Sequence, residues 1–263
     1  MTDLHGFLFP QSRTGKASIL PNPPWHYVGD LLTIRFRTDP DALRHFLPDG
    51  IDLDPQDAGT AAIVFADWQS CSDSEAELLD PVMAQYREAY IDVSVVYDGD
   101  RYGRVILIWV DKDFAMLRGH VQGYPKRLGA VSMTRPAPFG IAAPKLEPGG
   151  RFGATLSSNG RLLADAIFTI TEQADDGSTS SPALPRLHTR RMPALEHGEP
   201  PALDELVSFS RHNFVRGPLF VGDAELRFHA SPWEELDLLQ PHEVLGATYT
   251  TTASTWDGGQ RIR

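Results

Sequence analysis

At 263 residues, with 41% hydrophobic and 22% charged side chains, the chain has ordinary globular composition and length enough to bury a sizeable core. Its formal net charge of −11 argues against a nucleic-acid partner, which would leave a basic footprint. One cysteine, Cys71, excludes an internal disulfide and a multi-cysteine metal site, and no apolar run approaches the roughly 18 residues that a membrane span needs.

The opening MTDLHGFLFPQSRTGK has no basic-then-apolar signal pattern, so the expectation is a cytoplasmic protein with no membrane partner. Leu32–Arg37 (LTIRFR) alternates apolar and polar residues, as a half-buried strand does. Thr38-Asp39-Pro40 then supplies a helix N-cap with proline in the first turn, and ALRHFL continues with helical spacing until Pro48. Ala61–Trp68, Tyr90–Tyr97 and Arg104–Val110 are β-branched or aromatic runs bounded by turn residues. Asp98-Gly99 is a hairpin signal between the last two. Phe114–Val121 reads as a short helix, and Ala130–Met133 (AVSM) is strand-like. Phe152–Leu156, Leu162–Thr171, Leu206–His212, Ala224–His229 and Leu245–Thr251 add strands, and Pro232–Leu238 reads as a second short helix. The polar, proline-rich stretch Glu172–Asp204 predicts a surface excursion with one strand around Leu184–Met192. At least eight strands with few helices predict a mainly β chain, an antiparallel barrel or sandwich with peripheral helices. No internal repeat or Gly/Ser linker divides it, which points to a single domain over residues 1–263.

Several chemistries lack their motifs. There is no G-x-S-x-G elbow, P-loop, H-E-x-x-H or dinucleotide fingerprint. The nine histidines show no close ligand spacing, so no metal is expected. Cys71 lies among acidic residues, which raise a thiol pKa and oppose a catalytic thiolate.

The segment GHVQGYPKRLG, Gly119 to Gly129, stands out instead. The chain holds only four lysines against twenty arginines, and one of them, Lys126, stands here between Pro125 and Arg127. An ammonium can lose its proton and become a nucleophile, whereas a guanidinium cannot. Read from the residues alone, Lys126 is either such an amine or a solvated surface lysine.

GYPKRLG resembles the signature of the acetoacetate decarboxylase superfamily, in which a lysine forms a Schiff base. LTIRFRTDPDALRHFLPDGIDLDP is similar to the family's first strand, helix and following passage, YREAYIDVSV to its glutamate-bearing strand, and GPLFVGDAELRFHASPWEELDLLQPHEVLGATYT to its closing hairpin and strand. The resemblance implies a cone-shaped antiparallel β-barrel with a buried pocket and assembly into a homo-oligomer. It implies catalysis through a covalent imine on Lys126, with no separate cofactor. It carries the active-site glutamate onto Glu88 and puts Arg127 where the decarboxylases have a second lysine. Tyr86, Gln122, Arg118 and His120 become candidate substrate-binding neighbours.

Two positions depart from the decarboxylases. Where their first strand region carries an arginine, this chain has Gly29. Upstream of the lysine, His120 stands where an acidic residue is expected. Both departures weigh against acetoacetate as the substrate while leaving imine chemistry intact.

A lysine with an ordinary pKa of about 10.4 is almost wholly protonated at neutral pH, so a Schiff-base lysine has to be desolvated or placed beside another cation. The decarboxylase that gives the family its name is itself the standard instance of that activation. If the segment is extended, Arg127 points to the opposite face from Lys126, which makes burial the expected cause. The favoured expectation is a lyase acting on a small oxo acid: pyruvate activated as an enamine, addition to an aldehyde, then dehydration. The alternatives are decarboxylation of acetoacetate or another 3-oxo acid, and a non-catalytic barrel that holds a small metabolite. A purely structural Lys126 would show as a buried lysine–carboxylate contact with no pocket beside it.

Overall fold

The computed structural model describes residues 3–174 and 184–263, so residues 175–183 of the expected surface excursion lie outside the described residues. Among the described residues, fifteen strands join in one sheet. In chain order they are β1 (Trp25–Arg37), β2 (Asp52–Leu53), β3 (Thr60–Ser72), β4 (Gln85–Tyr97), β5 (Asp100–Val110), β6 (Lys126–Leu128), β7 (Ala130–Met133) and β8 (Arg151–Ser158). They continue with β9 (Arg161–Ala174), β10 (Arg186–Met192), β11 (Leu203–Phe209), β12 (His212–Arg216), β13 (Leu219–Phe228), β14 (Glu243–Trp256) and β15 (Gln260–Arg261). Helices α1 (Pro40–Arg44), α2 (Pro81–Ala84) and α3 (Asp113–Gln122) interrupt the strands. No helix among the described residues is long and apolar enough to cross a membrane.

The main path of the sheet runs β15-β11-β10-β5-β4-β3-β1-β14-β13-β9-β8-β7, and β2, β6 and β12 pair off it with β4, β5 and β14. The segment from Lys126 to Met133 ties two distant parts of that path together. Its first half, β6, runs parallel to β5, with Lys126 opposite Ile108. One residue later β7 pairs antiparallel with β8, placing Val131 opposite Leu156. Gly129 sits at the changeover, where a Cβ would come within 2.9 Å of the Trp109 Cβ and 3.1 Å of the Ser157 carbonyl oxygen. Only a residue without a side chain lets the chain cross between the two strands at that separation.

The central strands read as almost continuous apolar runs because both of their faces are buried. Alternate residues point to opposite sides of a strand. One side of β1, β3 and β4 sends Leu32, Ile34, Ile63, Phe65, Ala89 and Ile91 into a large aliphatic core. The other side sends Trp25, Tyr27, Trp68, Tyr86 and Tyr90 into a second, aromatic core. Glu88 lies on this aromatic side of β4, between Tyr86 and Tyr90 in the period-two pattern.

Most of the expected elements are present and longer than their apolar centres. The Asp98-Gly99 turn has both residues at positive φ, 52° and 85°, and joins Tyr97 to Asp100 as a two-residue hairpin. Asp39 caps α1, accepting a hydrogen bond from the Asp41 backbone N–H, but the helix ends at Arg44. Two expectations are corrected. Pro232–Leu238 is not an α-helix; only one 3-10 turn forms, at Leu236–Leu239. Ser231 bridges to Glu234 instead, and the Glu234 carboxylate is drawn inward by Arg127 and by the Trp109 indole, which holds the chain in a loop. The strand expected over Leu206–His212 is broken after Phe209, because Ser210 and Arg211 leave β11 before β12 begins. α2 and the 3-10 turn at Ala76–Leu79 have no counterpart in the sequence reading.

Gly129→Ala is expected to destabilise the chain by about 1–3 kcal/mol, the range for overpacking a tight site, and to lower its urea midpoint. An unchanged midpoint would show that the crossing tolerates a side chain.

Candidate active site

Helix α3 ends at Gly123, which adopts the left-handed conformation (φ 87°) typical of a helix C-terminus. Tyr124 then donates its N–H to the Gly119 carbonyl at 2.9 Å, and Lys126 donates its own to the Tyr124 carbonyl at 2.8 Å. The chain thus folds back under its own helix, and the aliphatic stem of Lys126 passes across Gly119. A Cβ at residue 119 would collide with the Lys126 Cγ, Cδ and Cε atoms. His120 is exposed, and its ring Nε2 lies 2.7 Å from the Lys126 carbonyl oxygen, so it fastens the backbone of the lysine.

The Lys126 ammonium reaches the aromatic core and donates to Glu88 Oε2 at 2.6 Å, with both side chains buried. Trp68 Nε1 donates to the other carboxylate oxygen of Glu88 at 2.9 Å. The Tyr86 and Tyr124 ring centroids lie 5.4 and 5.7 Å from Lys126 Nζ, within cation–π range. Burial lowers the Lys126 pKa below its ordinary value; the Glu88 charge and hydrogen bond oppose the shift, and the Arg118 and Arg211 charges reinforce it. Arg127 takes no part in this. It points to the other side of β6, half exposed, and pairs with the buried Glu234 at 2.9 Å.

A cavity of about 420 Å³ opens beside the pair. Lys126, Glu88, Trp68, Tyr90 and Tyr124 line its inner end, and Leu31, Val105, Ile108, Leu184 and Phe214 supply apolar wall. Ser210, Thr252 and Ser254 contribute hydroxyls. Two arginines also line it. Arg186 is engaged by Asp92 at 2.5 Å. Arg211 has its guanidinium over the Tyr27 and Trp68 rings, 4.8 and 5.8 Å from their centroids, and no carboxylate pairs with it among the described residues.

The remaining candidates lie behind this cavity rather than on its lining. Tyr86 is buried, and burial, chiefly, pushes its phenol well above the ordinary value, so it stays protonated. Arg118 sits in a box of Trp25, Tyr27, Tyr86 and Phe114, each ring centroid 5.2 to 5.6 Å away, and donates to Ser70 Oγ at 3.0 Å. Gln122 is buried and donates to the Tyr27 hydroxyl at 3.4 Å. Gly29 backs directly onto Trp68, where any Cβ would collide with the indole. An arginine therefore does not fit at position 29, and the cavity draws its unpaired cation from Arg211 instead.

Sequence reasoning missed Trp68, Tyr90, Arg186, Arg211 and Phe214. The first two had a signal, since aromatic residues flank the acid at period two on β4 and meet Trp68 on the neighbouring strand. Arg211 had none, because its approach to Tyr27 depends on the turn between β11 and β12.

The chain belongs to the acetoacetate decarboxylase family, whose description matches residues 9–263. Its fold is similar to that of the enduracididine biosynthesis enzyme MppR complexed with pyruvate, at 34% identity and a TM-score of 0.90, covering 99% of this chain and 98% of that one. A second MppR structure, complexed with the condensation product of pyruvate and imidazole 4-carboxaldehyde, matches at 35% identity and a TM-score of 0.90, covering 99% and 97%. An acetoacetate decarboxylase-like enzyme from Sphingomonas wittichii RW1 is 28% identical over 98% of this chain and 100% of that one, with a TM-score of 0.90. Among curated sequences, Decarboxylase DEC1 of Cochliobolus heterostrophus is 26% identical over 222 residues, 83% of this chain and 79% of its own length.

With only four lysines, the amines can be followed individually by NMR of Cε-labelled protein. Lys126 is expected to titrate below about 10.4, the ordinary value. In Glu88→Gln the charge that favours the ammonium is gone, so the midpoint moves lower still. A Lys126 midpoint at the ordinary value, or one that rises in Glu88→Gln, would contradict this electrostatic account.

Proposed function

We propose that the chain is a Schiff-base lyase that condenses pyruvate, or a close 2-oxo acid, with an aldehyde and dehydrates the adduct. The observation that carries this reading is the buried Lys126–Glu88 pair, 2.6 Å apart, at the inner end of a cavity that also holds the unpaired Arg211. The pyruvate and condensation-product complexes of MppR support the same substrate class.

In this mechanism Arg211 binds the substrate carboxylate, its guanidinium held in place by the Tyr27 and Trp68 rings. Lys126 transfers a proton to Glu88, and the free amine attacks the C2 carbonyl. Glu88 returns a proton as the carbinolamine loses water, which leaves a protonated imine on Nζ. That cation withdraws electrons from C3, and Glu88 removes a C3 proton to give the enamine. The enamine carbon bonds to the aldehyde carbon, and the proton that Glu88 took from C3 passes to the aldehyde oxygen, with the hydroxyls of Thr252 and Ser254 available to relay it, which leaves Glu88 a carboxylate for the second C3 proton. Loss of a second C3 proton with the hydroxyl, as water, gives the unsaturated adduct, and hydrolysis of the imine frees Lys126. The Trp68 N–H keeps one Glu88 oxygen occupied and leaves the other for proton transfer. His120 and Gly119 act on position alone, by fixing the lysine backbone and clearing the path of its stem.

The name of Decarboxylase DEC1 favours a second reading, in which the same imine accepts the electrons of a breaking C–CO2 bond in a 3-oxo acid. Gly29 weighs against acetoacetate, because the cation that the decarboxylases carry in the first strand has no room there.

Borohydride reduction in the presence of pyruvate is expected to leave a covalent adduct on Lys126 in the wild type and none in Lys126→Ala, scored by mass spectrometry of the intact chain and its peptides. Arg211→Gln should raise the pyruvate concentration needed for trapping by about tenfold or more, the loss expected when a charged hydrogen-bond partner is removed. CO2 release from acetoacetate without any pyruvate adduct would select the decarboxylase reading. Adducts in both the wild type and Lys126→Ala would overturn imine formation at this lysine.

A further inference from the structure

Helix α3 borders a second cavity, of about 490 Å³, that shares no lining residue with the catalytic one. Phe114 and Arg118 stand four residues apart, on one side of the helix, and both line it. The N-terminal segment from Gly15 to Pro21, the end of β3, and the turn and short helix that follow form the other walls.

Arg118 is only 5% exposed, and no carboxylate pairs with it among the described residues. Burying a cation without a counter-ion is costly, and the four rings around this one offset only part of that cost. Its single hydrogen bond among the described residues, from Nη2, goes to Ser70 Oγ at 3.0 Å. That hydroxyl donates in turn to the Ala84 carbonyl at 3.3 Å and carries no charge. Nε and Nη1 make no bond, yet neither is sealed in as the unbonded Nε atoms of Arg104 and Arg190 are. Both therefore reach open space, and the space that Arg118 lines is this cavity.

Ile19, Leu20, Met83 and Phe114 make the wall beside the guanidinium apolar. Lys16 and Asp80, at the mouth, are exposed and opposite in sign, and the Glu77 carboxylate accepts from the Ser72 N–H and hydroxyl. The guanidinium is thus the one buried charge that the cavity offers.

We propose that this cavity is a second ligand site, for a small monocarboxylate with an apolar body, and that Arg118 anchors it through the forked donor set that fits a carboxylate. The site is a neighbour of the catalytic one. Tyr27 packs against both Arg118 and Arg211, and Tyr86 against both Arg118 and Lys126. The Arg118 charge helps to lower the Lys126 pKa, so a carboxylate that neutralises it raises that pKa, leaves less free amine and slows imine formation. The binding site stands independently of the imine reading, whereas this effect on catalysis rests on it.

The probe is hexanoate, which has the carboxylate and the apolar body but no ketone or aldehyde to form an imine. Binding is measured by calorimetry on the full chain after borohydride trapping with pyruvate, which blocks the catalytic cavity. One hexanoate per chain is expected, weakened about tenfold or more in Arg118→Gln, the loss that follows removal of a charged hydrogen-bond partner. Met83→Trp, which fills the cavity from its outer wall, should abolish binding while keeping the guanidinium. In untrapped wild type, saturating hexanoate should slow adduct formation with pyruvate about fivefold, an ordinary strength for coupling between two sites, and should not slow it in Met83→Trp. No binding to the trapped chain, or binding undiminished in both variants, overturns the site. A trapping rate that is unchanged, or slowed equally in Met83→Trp, overturns the coupling to Lys126 and leaves the site standing. If pyruvate leaves no adduct, the imine reading falls, and the same titrations on the unmodified chain still decide the site.

Discussion

The site depends on burying one ion pair. Taking an ammonium and a carboxylate out of water costs several kcal/mol per ion, and their attraction repays this only when the geometry is good and the remaining valences are satisfied. Lys126 and Glu88 meet at 2.6 Å, and the Trp68 N–H takes the second carboxylate oxygen. Desolvation still dominates for the lysine, whose pKa falls despite the carboxylate beside it. The pair is thereby poised: the carboxylate holds the proton within reach, and the apolar surroundings make it easier to give up.

The rest of the local structure follows from delivering that lysine to that carboxylate. Lys126 comes from a turn that folds back beneath α3, Glu88 from the aromatic side of β4, and Trp68 from β3. The close approach of these elements leaves no room for side chains at three places. Gly119 clears the lysine stem, Gly129 lets the chain cross between Trp109 and Ser157, and Gly29 yields its space to Trp68. The last of these moves a charge. With position 29 unable to carry an arginine, the cavity's cation without a carboxylate partner among the described residues is Arg211, beyond the end of β11. Arg127 has the opposite fate. Beside the lysine in sequence, it faces away and neutralises Glu234, which anchors the loop after β13.

Much of the architecture was legible because strands announce themselves locally. The β-branched runs of β3, β4 and β5, the Asp98-Gly99 turn and the Asp39-Pro40 helix start all reflect preferences of neighbouring residues. The errors fell where a distant contact overrode a local preference. Pro232–Leu238 has helical spacing, but Arg127 and Trp109 draw Glu234 inward and the helix does not form. The Leu206–His212 run reads as one strand, and nothing in its pattern marks the break at Ser210 that carries Arg211 to the aromatic core.

Taken by itself, the sequence determined the mainly β class through its period-two patterns, and through a family resemblance it named Lys126 and Glu88, the two residues that form the central ion pair. Tertiary structure alone decided what surrounds that pair. Arg211 and Phe214 reach the cavity through a strand break and a bulge, and Arg118, Gln122 and His120 become supports behind it although they are closer to Lys126 in the chain. The physical reason is that a cavity wall is assembled from one or two side chains of each of several strands. Which side chains those are depends on register and bulges, and these are fixed by pairing between segments far apart in sequence.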